Sequence, residues 1–249
     1  MGAVTPQIHT NTPTVSILPS PTPSPEEPII PTETSAPQVT PTPLPEYCSP
    51  LAIHPLEELP EIIGDPYDPP RPGREERHHG IDFAYYHYQD RDSMLGEPVQ
   101  SVMPGVIAGV MNGQYPYGNM VIIETPRDSF PKSLGDRLEI PPGQSLYILY
   151  AHLDQAPVVA LGESVVPCQP LGEVGMSGNT DIPHLHIEFR IGPAESVFES
   201  MRFYDTRATV EEMETYVLWR TSGTYQHFDP MLLLGPRVEL TATPEGNLP

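Results

Sequence analysis

The sequence predicts an all-β fold, an antiparallel sheet or sandwich with loop insertions and one helix near its C-terminal end. Short runs of alternating or β-branched residues recur between Gly, Pro and Asn from about residue 77 to about residue 190, which is typical of antiparallel strands joined by turns. Helical spacing follows these runs, and proline crowds the first third of the chain. The expected strand regions are PVQSVMPGVIAGV, GNMVIIET, SLYILYAHL, PLGEVGMSG and HLHIEFRI.

The N-terminal part of the chain is rich in proline and threonine. The 249 residues include 35 prolines, and residues 1–46 hold almost nothing that could form a packed core. We therefore expect residues 1–46 to be a disordered Pro/Thr-rich linker. Residues 47–76 mix apolar residues with prolines that prevent a long helix, which predicts an irregular connecting segment.

One domain is expected over residues 77–238, followed by a flexible tail at residues 239–249. Within the domain, residues 126–143 separate two strand signals with polar and turn residues, so they predict a long loop.

A helix is predicted near the C-terminal end of the domain. Thr209 and Glu212 form a capping-box pattern. Tyr216 and Trp219 fall in the same stretch, and we interpret them as packing residues. Four apolar residues recur there at helical spacing: Val210, Met213, Val217 and Leu218.

The charge balance excludes one large class of partner. The formal net charge is -21, with only 12 Lys and Arg, whereas nucleic-acid binders need clustered basic residues. No apolar run reaches the roughly 18 residues of a membrane span, and no signal peptide is visible at the N-terminus. Because Pro/Thr-rich tracts are typical spacers of exported proteins, we expect an extracellular or cell-envelope location.

The two cysteines do not form a metal site. Cys48 and Cys168 lack the close spacing of structural zinc ligands. In an oxidising compartment a bridge between them would attach the end of the linker to the domain. Two unrelated thiols are the alternative.

Histidines cluster in the segments RHHGIDF, LYAHLDQ and PHLHIEF. Residues two apart in a strand point to the same face, so His184 and His186 would present two imidazoles side by side. His78 and Asp82 lie four residues apart, and Gly80 between them allows a close backbone approach, so that both side chains can converge on one ion. Taken alone, a His-x-His pair is also consistent with two polar residues on a solvent-facing strand.

These segments resemble, in order and approximate separation, the motifs of the lysostaphin-type peptidoglycan metalloendopeptidases, which include lysostaphin and the β-lytic proteases. HHGIDF is similar to the His-x-Gly-x-Asp motif of this family, and LYAHL to its central histidine motif. LGEVGMSGNT followed by PHLHIEFR is similar to its glycine-rich turn and final His-x-His strand, and VMPGVIAGV and YGNMVIIE to two of its strands. The resemblance covers about residues 77–191, the motif core of the domain.

The resemblance implies a role for each of five residues. His78, Asp82 and His186 match the zinc ligands of the family, which implies one Zn²⁺ per chain, and His152 and His184 match its two catalytic histidines. The implied function is zinc-dependent hydrolysis of peptide bonds in bacterial cell-wall peptidoglycan, in its stem peptides or cross-bridges, by a monomer. The division of base and oxyanion-stabilising roles between the two histidines stays open. The alternative is a non-catalytic wall-binding or hydrolase-activating domain on the same fold.

The chain departs from the family pattern in three longer segments, residues 84–98, 126–143 and 193–226. These could line or cover the groove, so the resemblance does not define the substrate. His87 in the first segment is expected to be an exposed loop histidine.

Three residues near the motifs have two interpretations each. Tyr150 is interpreted either as a residue that orients the substrate or, as we favour, as a packing residue. Asn119 is interpreted either as a contact to a bound peptide or as part of an ordinary turn. Glu188 is interpreted either as a hydrogen-bond partner of a metal ligand or as an exposed strand residue.

Overall fold

A computed structural model describes residues 44–236 of the chain. The linker expected at residues 1–46 lies outside the described residues except at its end, and the tail expected at residues 239–249 lies outside them entirely. Within residues 44–236, no helix has the length and apolar character needed to cross a bilayer.

Strands form most of the regular structure between residues 44 and 236. They are β1 (Ile63–Asp65), β2 (Ile81–Phe83), β3 (Pro98–Gln100), β4 (Gly105–Gln114), β5 (Gly118–Pro126), β6 (Gln144–Leu153), β7 (Ser164–Val165), β8 (Pro170–Glu173), β9 (Leu185–Pro193) and β10 (Gln226–Phe228). The helices are α1 (Val210–Arg220) and the short α2 (Met231–Leu234). Short 3-10 turns occupy Leu59–Ile62, Arg127–Ser129 and Lys132–Leu134, the last two within the predicted long loop.

The main sheet has the strand order β1-β2-β9-β6-β5-β4-β7, and β10 also pairs with β9. Strands β3 and β8 form a separate ribbon. All of these pairings are antiparallel. The predicted all-β, antiparallel class with one main helix is confirmed.

Both faces of the main sheet are buried. On one face, Ile187 of β9 and Ile148 of β6 join the larger core, which Leu59 and Leu233 help to close. On the other face, the neighbouring residues of β6 pack with Trp219 of α1 in a second core. Burying a large apolar side chain contributes about 1.5–3 kcal/mol, so both layers stabilise the sheet. The strand β9 thus lies between two packed layers.

The predicted helix is confirmed, and so are its packing residues. Thr209 and Glu212 form the expected capping box. The buried residues of α1 are Tyr216 and Trp219, as their packing interpretation requires. Three of the four apolar residues whose spacing predicted the helix, Val210, Val217 and Leu218, are exposed. The helix docks through its aromatic side chains because they bury the larger apolar area.

A disulfide bond attaches the beginning of the described chain to the sheet. Cys48 and Cys168 are bonded, with their Cα atoms 5.6 Å apart and a sequence separation of 120. Backbone hydrogen bonds hold both cysteines against neighbouring residues of the domain, from Cys48 N to Val102 O and from Cys168 N to Ser101 O. Of the two interpretations that the sequence allows, the structure has the bridge.

We expect loss of this bond to lower stability. Replacing both cysteines with serine (C48S with C168S) should reduce the free energy of unfolding by about 2–5 kcal/mol, because the bond closes a long loop and restricts the unfolded chain. Urea denaturation of the two proteins measures the difference. Reduction of the parent protein with a thiol should reproduce it, and an unchanged midpoint in both experiments would contradict the expectation.

Candidate metal centre

Three side chains bring one potential ligand atom each to a common point. His78 Nε2 lies 3.1 Å from Asp82 Oδ1 and 3.1 Å from His186 Nδ1. His186 Nδ1 lies 2.7 Å from Asp82 Oδ1. Ligand atoms of a tetrahedral zinc site with bonds of 2.0–2.1 Å are about 3.3 Å apart. This triangle fits a small divalent cation after a slight expansion, and within residues 44–236 it is the one such group of His, Cys, Asp and Glu.

The pairing of β2 with β9 forms this triangle. Asp82 lies directly opposite His186 in the antiparallel register. His78 precedes β2 and is held by an antiparallel bridge to Asp68. Between His78 and Asp82, Gly80 lies so close to β9 that an added Cβ would be 2.3 Å from Ile187 O. The close approach expected of this glycine is therefore found.

Electrostatics keeps the carboxylate charged. Burial raises the pKa of Asp82, but the contacts with His186 and His78 lower it by more, so the net shift is downward. Burial lowers the pKa of His186, whereas its contacts with Asp82 and Glu188 raise it to about 9. A proton and a cation would therefore compete for Nδ1 of His186, because the Asp82 carboxylate attracts both.

In His78 and His186, the ring nitrogen that points away from the triangle lies near a hydrogen-bond acceptor. His78 Nδ1 lies 3.0 Å from Pro66 O, which can only accept, so His78 donates there and leaves the Nε2 lone pair for the centre. His186 Nε2 lies 3.1 Å from Glu188 Oε1 on the other side of the ring. Such outer partners orient metal-binding histidines and set their tautomer.

Two further histidines lie beside the triangle. The ring centroids of His152 and His184 are 4.6 Å apart, and those of His152 and His186 are 5.9 Å apart. His152 Nδ1 lies 2.7 Å from Ser177 O, and His184 Nδ1 lies 3.0 Å from Ile182 O. Both rings donate to a backbone carbonyl, so each has its Nε2 free to accept a proton. His184 Nε2 is 3.5 Å from Asp82 Oδ2.

His152 is both buried and conformationally unusual. Its φ angle is 61°, a left-handed value that costs a non-glycine residue energy and is common at functional sites. Burial lowers the pKa of His152 to about 3, and electrostatic repulsion from His186 and His184 lowers it by a smaller amount, so the ring is neutral. Tyr150 follows the regular alternation of β6 and lies in the larger core with Ile148, where its hydroxyl accepts from Val102 N, as its packing interpretation requires. His152 would share that face in a regular strand, but its positive φ accompanies a turn of its side chain away from this core, towards His184 and His186.

All five predicted residues line one groove of about 880 Å³. Two segments that depart from the family pattern form much of its wall. Tyr86 comes from residues 84–98, and Tyr204, Tyr216 and Arg220 come from residues 193–226. The Tyr204 hydroxyl donates to Glu75 at 2.6 Å. Exposed tyrosines on a groove wall offer both an aromatic surface and a hydroxyl group.

Other residues considered from the sequence have simpler surroundings. Asn119 is used within the fold, since its side chain accepts from Gly113 N and donates to Leu153 O. His87 is exposed and pairs with Asp92, as expected of a loop histidine.

Glu188 is the residue whose importance the sequence understated. It is fully buried, not exposed, and it contacts His186. The alternating polar residues His184, His186, Glu188 and Arg190 on one face of β9 were the available signal. Although burial raises the pKa of Glu188, the Arg190 charge and the His186 bond lower it well below its usual value.

Comparison with known proteins supports the motif assignment. The model of Peptidase family M23 matches residues 127–197. The resemblance to the lysostaphin-type peptidases is thereby confirmed. The matched stretch contains His152, His184 and His186, whereas His78 and Asp82 precede it. No curated protein sequence matches the chain.

Several solved structures are similar to parts of the chain. A zinc-containing peptidase from Vibrio cholerae is 27% identical with a TM-score of 0.37, over 51% of this chain and 32% of that one. The catalytic domain of the prophage-encoded M23 protein EnpA from Enterococcus faecalis is 24% identical with a TM-score of 0.35, over 54% and 82%. Lysostaphin from Staphylococcus simulans is 22% identical with a TM-score of 0.41, over 81% and 60%. The chain thus spans about a third of the length of the Vibrio protein.

The close packing at Gly80 generates a test of the site geometry. Gly80→Ala places a methyl group against the backbone of β9, so we expect a loss of about 1–3 kcal/mol in the free energy of unfolding. It should also weaken zinc binding, because His78 and Asp82 move away from His186. Chemical denaturation and zinc titration measure the two effects. The matched strand variant is Gly172→Ala, whose added Cβ meets only Leu153 at 3.4 Å. Equal losses of stability and of zinc affinity in the two variants would contradict this account.

Proposed function

Because residues 127–197 match Peptidase family M23, we propose that this chain is a zinc-dependent endopeptidase that hydrolyses peptide bonds of bacterial cell-wall peptidoglycan. The observation that carries the proposal is the convergence of three ligand atoms, from His78, Asp82 and His186, beside two histidines in one groove. His78 and Asp82 lie outside the matched stretch. Their position is therefore support that is independent of the match.

The residues present suit a catalytic zinc ion. Two imidazoles and one carboxylate form a ligand set that zinc accepts in hydrolytic sites, with a fourth position left for water or substrate. His78 Nε2, Asp82 Oδ1 and His186 Nδ1 would hold the ion. When bound, zinc supplies Lewis-acid chemistry, since it lowers the pKa of water towards about 7 and polarises a carbonyl group.

His152 and His184 would move protons and stabilise charge. In the neutral form of each ring, Nδ1 donates to a backbone carbonyl and Nε2 has the lone pair. One such nitrogen can take the proton of the attacking water and return it to the leaving amine. The other ring, once protonated, can donate to the negative oxygen that develops on the attacked carbonyl. The hydrogen bonds at Nδ1 are alike in the two histidines, so both assignments stand.

The proposed substrates are the stem peptides or cross-bridges of peptidoglycan, and the proposed place of action is the cell envelope or the cell exterior. A net charge of -21 repels anionic polymers at long range. Binding of an anionic cell wall would then depend on local contacts within the groove.

The roles of metal ligand and catalytic histidine can be separated by mutation. His186→Ala should lose both bound zinc and wall-lytic activity. His152→Ala should retain about one zinc per chain and lose about 10²–10⁴-fold in turnover, the usual contribution of a proton-transferring group. Elemental analysis and turbidity loss of purified cell walls measure the two quantities, and the exposed His87→Ala is the control. Loss of zinc from His152→Ala would make His152 a ligand and refute the assignment.

A digest of purified peptidoglycan distinguishes the enzyme from a non-catalytic wall-binding domain. We expect new amino termini and fragments whose masses identify the bond that is cut. Binding to the wall without release of fragments, by zinc-loaded protein, would favour the binding domain. Retained lysis in His186→Ala would exclude the proposed mechanism.

A further inference from the structure

Glu188 is the centre of a buried hydrogen-bond network behind His186. Its side chain is fully buried. Oε1 lies 3.1 Å from His186 Nε2 and accepts from the Tyr117 hydroxyl at 2.6 Å and from Arg220 Nη1 at 3.1 Å. Oε2 accepts from Arg190 Nε at 2.7 Å and from Trp219 Nε1 at 3.0 Å. The four partners other than His186 are all donors, so the carboxylate acts towards them only as an acceptor.

Arg190 and Arg220 stabilise the ionised form of the Glu188 carboxylate. Arg190 is fully buried and adds a second contact, from Nη2 to Glu188 Oε2 at 2.6 Å. A buried carboxylate is stable in its charged form when it is paired and hydrogen-bonded in this way. An ionised carboxylate has no proton to donate. Glu188 therefore requires a proton on the nitrogen of His186 that faces it.

This requirement selects one state of His186 once a cation occupies the triangle. Without an ion, Asp82 Oδ1 lies 2.7 Å from Nδ1 and attracts the ring proton from the opposite side. A cation at the triangle would take the Nδ1 lone pair, and the ring would then keep its one proton on Nε2, where Glu188 accepts it. Glu188 thus favours the state of His186 that can act as a ligand.

Helix α1 supplies part of this network although it lies outside the predicted motif core and outside the matched stretch. Trp219 and Arg220 are its last two residues. The Trp219 carbonyl also accepts from Arg190 Nη1 at 2.7 Å, and the Arg190 guanidinium lies 4.9 Å from the Trp219 ring centroid. The helix therefore contacts Glu188 directly and through Arg190.

We propose that α1 is a positioning element of the metal centre, in which Trp219 and Arg220 hold the Glu188 carboxylate that orients His186 for metal binding. The proposal rests on the proposed zinc function, because it assigns α1 a part in zinc affinity. It goes beyond that function by making an inserted helix, and not only the strand motifs, a determinant of the centre. Glu188, Trp219 and Arg220 are positioning residues, since they act through His186.

The first test compares two buried glutamates. Glu188→Gln keeps the shape of the side chain but replaces one acceptor by a donor, so we expect zinc affinity to fall by about 10- to 100-fold. Glu124→Gln is the matched control, because Glu124 is also a buried strand glutamate that accepts from Ser145 Oγ and Glu195 N away from the centre. Competition with a chromogenic chelator measures affinity. Equal affinity of the two variants would overturn the proposal.

The second test addresses the helix itself. Arg220→Gln removes the charged donor that α1 contributes, and we expect about a tenfold loss of zinc affinity. The control is Arg137→Gln, since Arg137 donates to Leu233 O and Gly235 O and plays no part in the centre. Unfolding midpoints of both proteins separate lost stability from lost affinity. Parent-like zinc affinity in Arg220→Gln would exclude a role for the helix.

A spectroscopic measurement keeps the inference separate from the proposed function. Asp82→Asn removes the carboxylate that competes for the ring proton at Nδ1. Nitrogen correlation spectra of this ¹⁵N-histidine-labelled, zinc-free variant at pH 10 report the tautomer of the neutral His186 ring. We expect the proton on Nε2 and a shift towards Nδ1 when Glu188→Gln is added. A proton on Nδ1 in Asp82→Asn would overturn the inference even if the parent protein binds zinc. Failure of the parent to bind zinc, with the proton on Nε2 in Asp82→Asn, would instead refute the proposed function.

Discussion

The short pairing of β2 with β9 is the contact on which the rest of the site depends. It joins only three residue pairs, yet it places Asp82 opposite His186 and brings His78 to the same point. The two strands are far apart in sequence, so the ligands meet only when the sheet is complete. Gly80 permits the approach, since any side chain there would strike the backbone of β9. Binding of a metal ion at this triangle would thereby be coupled to folding, because the unfolded chain contains no such group.

The second constraint is the charge of the buried network. A chain with 33 acidic and 12 basic residues uses Arg190 and Arg220 to compensate one buried glutamate. Buried ion pairs often add little net stability, whereas removing one partner is costly because it leaves an unpaired charge. The arrangement is therefore better explained by the orientation it imposes on His186 than by a gain in stability. A salt-bridged carboxylate with donors on both oxygens cannot rotate without breaking several bonds.

Much of the fold could be predicted because its signals are local, whereas the grouping of the five site residues was implied by the resemblance to the ordered motifs of the family. Alternation in HLHIEFRI predicts a strand, and it also places His184 and His186 on one face. The contacts of Glu188 could not be predicted in this way, since Trp219 lies 31 residues further along the chain. The helical spacing of Val210, Met213, Val217 and Leu218 predicted α1 but does not show which side meets the sheet, and the docking face is that of Tyr216 and Trp219. His152 left the face of Tyr150 because its positive φ breaks the strand period.

The two inserted segments on the groove wall are attached to the site in different ways. In residues 84–98, Glu97 is bonded to His54 and Arg91, and this separate cluster holds the loop. In the helical segment, Arg220 shares the Glu188 carboxylate with His186. A substitution in the loop can therefore reshape the groove while the ligands keep their partners. A substitution at the end of α1 changes both the groove wall and the hydrogen bonds that orient His186. We therefore expect fewer substitutions to be tolerated at the end of α1 than in the loop.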